Sequence, residues 1–374
     1  MRITVYTITF ILTFRVLAAQ VNVIEIRPLD LFRPLIEKGE ISGVVTLLAT
    51  KDSIISCETA GYSSLEGKIP MKTDDLFWVA SQTKPMVAFA FMMILEEHNL
   101  SLDDTLYKYI PEFKNQKVAV KIDENVTVLR KPRQPVTFRH LLNHTSGMSA
   151  EVPAQRNPID RVLLEDIMPG YAYVNLECDP GEREIYSTMG INTVGRLIEI
   201  FSGMTFEEYL QKKIFDPLGM KNTTFVPTEE QLQRLATSYR KDGESLKPVM
   251  LGFTHPLSDK RRVAMPFGGL FSTAEDLARF CQLCLNHGEY KGRRFLSEEL
   301  FKSMLVRKSV SPFGVGWVVY DNGSYGHNGA YNTDMTIFEK SDLIGISLVQ
   351  RLPSHACRSV LREHIWQLEN KGKQ

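Results

Sequence analysis

No charge of one sign prevails in this chain of 374 residues, because lysine plus arginine and aspartate plus glutamate both number 44. Without a net field nothing concentrates nucleic acid or an anionic membrane at the surface, and neither is expected as a partner. Cysteine is scarce: five residues, at 57, 178, 281, 284 and 357. An odd, sparse set makes no disulfide framework and leaves at least one free thiol. Cys281 and Cys284 form a C-x-x-C, yet they lie in an apolar-periodic stretch with Leu277, Phe280 and Leu285. A buried helical face accounts for them better than redox or metal chemistry does. No Cys and His constellation has zinc-ligand spacing, and there is no self-similar repeat or low-complexity tract. No metal and no cofactor is therefore expected, and any chemistry rests on the chain's own groups.

Long apolar runs are also missing. A membrane helix needs about 20 apolar residues, whereas the run from Ile3 to Phe14 is interrupted by Arg15. No permanent span is expected. Arg2 before this run, the small residues Val16-Leu17-Ala18-Ala19 after it and the lack of an acid before Glu25 read as an export signal over residues 1–19. The expected location is periplasmic or secreted, with an organelle-targeting peptide as the alternative.

What remains is ordinary globular composition, 43% apolar and 24% charged, in a chain long enough for one large domain or two joined lobes. Leu29 to Ile36 reads as a short helix. Val44 to Ala49 and Ile54 to Glu58 read as strands of a hairpin around Lys51-Asp52. Helical patterns recur at 86–97, 137–143, 190–202, 205–213, 274–287 and 297–305, separated by Pro- and Gly-bearing turns. Strand character returns at Gly316 to Tyr320, Met335 to Phe338 and Ile344 to Gln350. Ala356, Val360, Leu361, Ile365 and Leu368 then recur at helical spacing. The expectation is an α+β fold: one antiparallel sheet built from both chain ends and flanked by helices, with a mainly helical lobe inserted. One domain is expected over 20–374, with an α/β lobe over 25–75 and 311–374 and a helical lobe over 76–310. A cleft between lobes is the natural ligand site.

Three segments carry chemistry. In Phe77-Trp78-Val79-Ala80-Ser81-Gln82-Thr83-Lys84-Pro85, Ser81 opens an apolar helix, where free N–H groups and the helix dipole favour a developing oxyanion. Lys84 lies one turn on, on the same face, and can relay the serine proton. S-x-x-K alone is short and frequent, and an ordinary cap with a solvated lysine explains it equally well. The second segment, Pro180-Gly181-Glu182-Arg183-Glu184-Ile185-Tyr186-Ser187, puts the Tyr186 hydroxyl at a loop-to-helix junction. The third, Tyr325-Gly326-His327-Asn328-Gly329-Ala330, places a glycine where backbone can approach closely, just before a strand.

Taken together and in this order, these segments resemble the serine β-lactamase and penicillin-binding-protein superfamily, in its class C β-lactamase-like branch with esterase and D-peptidase relatives. The resemblance runs from about Leu29 to Leu368. It includes His140-Leu141-Leu142-Asn143-His144-Thr145-Ser146-Gly147, Phe215-Asp216-Pro217-Leu218-Gly219-Met220 and Gly268-Gly269-Leu270-Phe271-Ser272-Thr273-Ala274-Glu275-Asp276-Leu277, which are read as structural turns and helix starts. His140 and His144 are expected to satisfy hydrogen bonds within the turn that follows Thr137. The resemblance implies a β-lactamase-like (DD-peptidase-like) fold with Ser81 as nucleophile, Lys84 and Tyr186 as proton-handling partners, and the N–H groups of Ser81 and Ala330 as the oxyanion hole. His327, Asn328, Gly329 and Thr188 are implied as substrate-binding positions.

Two departures bear on specificity. Many relatives carry Asn where this chain has Thr188, and family β-lactamases carry Lys-Thr-Gly where it has His327-Asn328-Gly329. An imidazole partly charged at neutral pH replaces a fixed cation, and acidification is expected to let it attract a carboxylate. The expected activity is therefore hydrolysis of small-molecule esters, peptides or amides of small acyl groups, most of all esters. A D-specific peptidase, a DD-carboxypeptidase or a β-lactamase is the enzymic alternative. A non-catalytic binding or assembly protein on the same fold is the alternative of another class.

Overall fold

The computed structural model of the chain describes residues 26–150, 159–253, 256–308, 310–353 and 357–371. The export signal expected over 1–19 lies outside the described residues. Seven strands form one antiparallel sheet in the spatial order Val318–Val319, Tyr325–Asn328, Asp334–Phe338, Leu343–Leu348, Gly43–Ala49, Ile54–Ser64 and Ile69–Pro70. An early and a late strand of the chain meet at its centre, where Val45 faces Leu348 and Ala49 faces Ile344.

Side-chain alternation sorts the sheet into two cores. Val44 and Leu48 point to a smaller core with Leu29 and Phe32 of the helix Pro28–Glu37 and Leu361 and Ile365 of the helix Val360–Lys371. Val45, Leu47 and Ala49 point the other way, into a large core shared with the helical lobe. Because both faces are covered, every residue of Gly43–Ala49 is buried. Full burial of an apolar side chain contributes about 1.5–3 kcal/mol, so the register of this strand is fixed by two cores at once.

The helix Thr83–His98 runs through the large core, with every residue from Thr83 to Met92 buried. It ends at Asn99, whose left-handed backbone closes the last turn. The helix Thr188–Ser202 packs along it, and the helix Ala274–Leu285 packs against the sheet, touching Phe89 through its Phe280. Cys281 and Cys284 both lie buried on the latter helix, as the apolar spacing predicts. Among the described residues no helix is long and apolar enough to cross a membrane.

Two differences from the sequence reading are instructive. The strand expected over Gly316 to Tyr320 shrinks to Val318–Val319, because Gly316 takes a positive φ and packs its backbone against Ala88 of the central helix. The hairpin Val118–Lys121 with Thr127–Arg130 had no counterpart in the reading. Its second strand is largely exposed, Val128 and Leu129 included, so no buried face marks it in the sequence.

Candidate active site

The chain reaches Ser81 through a short ladder in which Phe77 pairs with Ser272 and Trp78 with Phe271. A 3-10 turn, Ala80–Gln82, then leads into the helix Thr83–His98. Ala80 has a φ of 46°, a left-handed conformation that costs a side-chain-bearing residue about 1–3 kcal/mol and persists only where surroundings enforce it. Those surroundings are the hydrogen bonds from Val79 N to Leu270 O at 3.0 Å and from Thr83 Oγ1 to Ala80 O at 2.6 Å. The glycine-rich segment read as a structural turn thus sits directly behind the nucleophile.

Lys84 is 1% exposed, and burying an unpaired ammonium costs several kcal/mol. Its Nζ donates to Ser81 Oγ at 3.0 Å and to the Phe267 carbonyl at 2.5 Å. It also lies over the Tyr186 ring, 4.7 Å from the centroid, where the ring face attracts a cation. Ser81, Lys84 and Tyr186 are therefore brought together. No hydrogen bond joins Thr188 to Lys84 among the described residues, and the second acceptor of Lys84 Nζ is the Phe267 carbonyl. Phe267 is itself held by its N–H on Asn192 Oδ1 at 3.3 Å, and Asn192 Nδ2 bonds Tyr171 Oη at 3.0 Å.

Opposite Ser81 runs the strand Tyr325–Asn328. Gln82 Nε2 donates to the His327 carbonyl at 3.3 Å, tying helix start to strand. A Cβ on Gly329 would lie 2.6 Å from the Val79 carbonyl, so only glycine lets the strand end approach the Ser81 turn this closely. Ala330 follows, exposed at the head of the turn. Among the described residues, neither the Ser81 nor the Ala330 N–H donates to a loop or turn carbonyl.

Three expectations are corrected here. His327 is 4% exposed, and burial, with the Lys84 charge beside it, pushes its pKa down to about 3. Its Nδ1–H donates to the Asn328 carbonyl at 2.8 Å, leaving Nε2 as a buried lone pair without a partner. The strand therefore offers a neutral acceptor, not the partly charged imidazole expected from exposure to water. Asn328 turns its amide to Asp334 on the other face of the sheet, because consecutive strand residues point to opposite faces. His144 does not serve its own turn. Its Nδ1 accepts from Ser187 N at 3.1 Å and its ring lies 4.4 Å from that of Tyr186, so it supports the loop that carries the tyrosine. Burial, then Lys84 and His327, holds His144 neutral. His140 behaves as expected, accepting from Thr137 N at 3.2 Å. No group of His, Cys, Asp and Glu among the described residues could hold a metal ion.

A buried lysine on a serine hydroxyl at a helix start, facing a strand edge, is the arrangement of the serine hydrolases of β-lactamase and penicillin-binding-protein type. The chain belongs to the Beta-lactamase family, whose model matches residues 29–370. It is 28% identical over 362 residues to an uncharacterized protein of Mycobacterium tuberculosis (strain CDC 1551 / Oshkosh), covering 86% of this chain and 88% of that one. It is 30% identical over 271 residues to lovastatin esterase of Penicillium rubens, covering 68% and 67%. Among solved structures, EstCE1, a hydrolase with promiscuous acyltransferase activity, superposes with a TM-score of 0.76 at 22% identity, covering 92% of this chain and 97% of the other. That likeness establishes the fold.

Proposed function

We propose that the protein is an exported serine hydrolase that cleaves esters, and more slowly amides, of small acyl groups through an acyl-enzyme on Ser81. The observation that carries this reading is the 3.0 Å bond between Lys84 Nζ and Ser81 Oγ. Ser81 Oγ attacks the substrate carbonyl carbon while the Lys84–Tyr186 pair takes its proton. The carbonyl oxygen, now an anion, sits between the N–H groups of Ser81 and Ala330, each such donor contributing about 3–4 kcal/mol to the transition state. The tetrahedral adduct expels the alcohol, which leaves with the proton held by the pair. Water then attacks the acyl-enzyme by the same steps in reverse roles.

Ester preference follows from the strand wall. A β-lactam carboxylate finds no charged imidazole at His327, whose pKa is held near 3, and Thr188 lacks the amide that would grip a substrate amide. An activated ester needs neither. The esterase among the relatives supports the same choice. The run Ile3 to Phe14 behind Arg2 supports export.

The test is fluorophosphonate labelling together with turnover of nitrophenyl acetate, a D-alanyl-D-alanine peptide and a chromogenic cephalosporin. The expected result is labelling at Ser81 and a kcat/KM for the ester at least about tenfold above that for the cephalosporin, equal to about 1.4 kcal/mol. Fast peptide or cephalosporin cleavage with negligible ester turnover would return the chain to the peptidases or the β-lactamases. No labelling and no turnover would leave a binding protein.

A further inference from the structure

The turn that carries the Ala330 N–H spans 329–333 and joins two antiparallel strands whose last facing residues are Asn328 and Asp334. On the Ser81 side it is held by the close approach of Gly329 to Val79 and by Gly329 N on Thr333 O at 2.8 Å. On the opposite side of the sheet stands a second hold that the proposed chemistry does not use. Asp334 Oδ2 accepts from Asn328 Nδ2 and, at 2.8 Å, from Arg362 Nη1 on the helix Val360–Lys371. Asp334 Oδ1 accepts from Thr336 Oγ1 at 2.9 Å. The same Arg362 Nη1 bonds Tyr320 Oη at 2.7 Å, and the guanidinium lies over the rings of Tyr320 and Trp366. Asp334 is 3% exposed and Arg362 9%. A buried ion pair of this kind adds little stability over a packed apolar pair, so its value lies in fixing geometry.

We propose that Asp334 is a positioning residue: anchored by Arg362, its carboxylate fixes the Asn328 amide and thereby the turn that presents the Ala330 N–H to the oxyanion. The proposal rests on the serine-hydrolase reading. Among the described residues, the charged and titratable groups on the same side as Asp334 are Arg362 and Arg358 from the C-terminal segment and Tyr320 from the sheet edge, and the Cys281 thiol of the helix Ala274–Leu285 feels its charge through the sheet. Burial raises its pKa to about 6, outweighing the lowering by Arg362, Thr336, Arg358 and Asn328. His327, His140 and His144 are pushed to about 3, to about 4 and well below the usual imidazole value, so none of them titrates there. Below about pH 6 the carboxylate takes up a proton, its pull on Arg362 and Asn328 weakens, and the turn loses its rear anchor.

Activity and stability then move in opposite directions. An acid whose folded pKa is raised above its usual 3.8 contributes stability that is fully present below 3.8 and lost as pH rises through about 6. A purely structural pair gives no such opposition. The experiment compares the full chain with its Asp334→Asn and Asn328→Ala variants, measuring nitrophenyl acetate kinetics and melting temperature from pH 8 to 5. The wild type should lose kcat at nearly constant KM as pH falls through about 6. Both variants should show kcat about tenfold lower at pH 7.5, part of what an oxyanion donor supplies, and no inflection near 6. The melting temperature of the wild type should rise relative to Asp334→Asn as pH falls. Asn328→Ala keeps the Asp334–Arg362 pair, so a folding failure of Asp334→Asn leaves the question decidable. A wild type without the inflection, or either variant retaining both rate and inflection, overturns the positioning role while turnover itself stands. A wild type with neither labelling nor turnover overturns the hydrolase reading and this one with it.

Discussion

The two walls of the cleft are built on different physical plans. The helix wall is complete in itself: Lys84 has a hydroxyl, a carbonyl and a ring face for its buried charge, and Ser81 is held out by a strained residue behind it. The strand wall contributes almost nothing through side chains. His327 is buried and neutral, Asn328 faces away, Gly329 has none, and what reaches the cleft is backbone. The difference teaches that on the proposed function reactivity and specificity would be set separately, the first by side chains on a helix, the second by what the strand withholds.

The largest expected effect attacks the helix wall. Ser81→Ala should abolish fluorophosphonate labelling and turnover while changing stability by less than about 1 kcal/mol, because a half-buried hydroxyl packs little; residual turnover at the wild-type rate would remove Ser81 as nucleophile. Lys84→Ala and Tyr186→Phe should each cost at least about a hundredfold in acylation rate, measured by stopped-flow. Their double variant should be scarcely worse than the worse single, since parts of one proton relay are not additive. Losses that multiply would mean independent roles.

On the strand wall the sharpest change is Gly329→Ala. The added methyl meets the Val79 carbonyl and Thr333 Oγ1, so the strand must back away from Ser81. A loss of about tenfold to a hundredfold in kcat is expected from displacing one oxyanion donor, with about 1–3 kcal/mol of destabilisation from overpacking, read by chemical denaturation. Wild-type kcat in a destabilised variant would show that Ala330 does not serve the oxyanion. The smallest effect concerns His327. With its pKa held near 3, the ratio of ester to cephalosporin kcat/KM should stay within about twofold between pH 8 and 6, well above its titration. A ratio that falls on acidification would mean that the imidazole is charged and reaches the carboxylate.

Motif order made the helix wall legible in the sequence, since a nucleophile and its lysine one turn apart are local features. The paired arrangement of sheet strands from both ends was legible too, because apolar, β-branched-rich runs at 44–49 and 344–350 leave a pattern. The strand wall was misjudged for one reason: a residue's identity does not give its burial or the face it points to. His327 read from its identity is a partly charged imidazole, whereas in the fold it is buried and neutral. His144 read from its neighbours belongs to its own turn, whereas in the fold it meets Ser187 and Tyr186.

By itself the sequence picked out Ser81, Lys84 and Tyr186, which the fold brings together, the fold class and the glycine that the strand end requires. These depend on helical spacing, on motif order and on backbone sterics, all of which act over short stretches of chain. The tertiary structure alone decided that the Phe267 carbonyl accepts from Lys84, that His327 carries no charge, and that Asp334 with Arg362 stands behind the Ala330 turn. Each of these sets groups far apart in sequence side by side in a medium without water, where burial fixes protonation and hydrogen-bond partners in ways that no local pattern records.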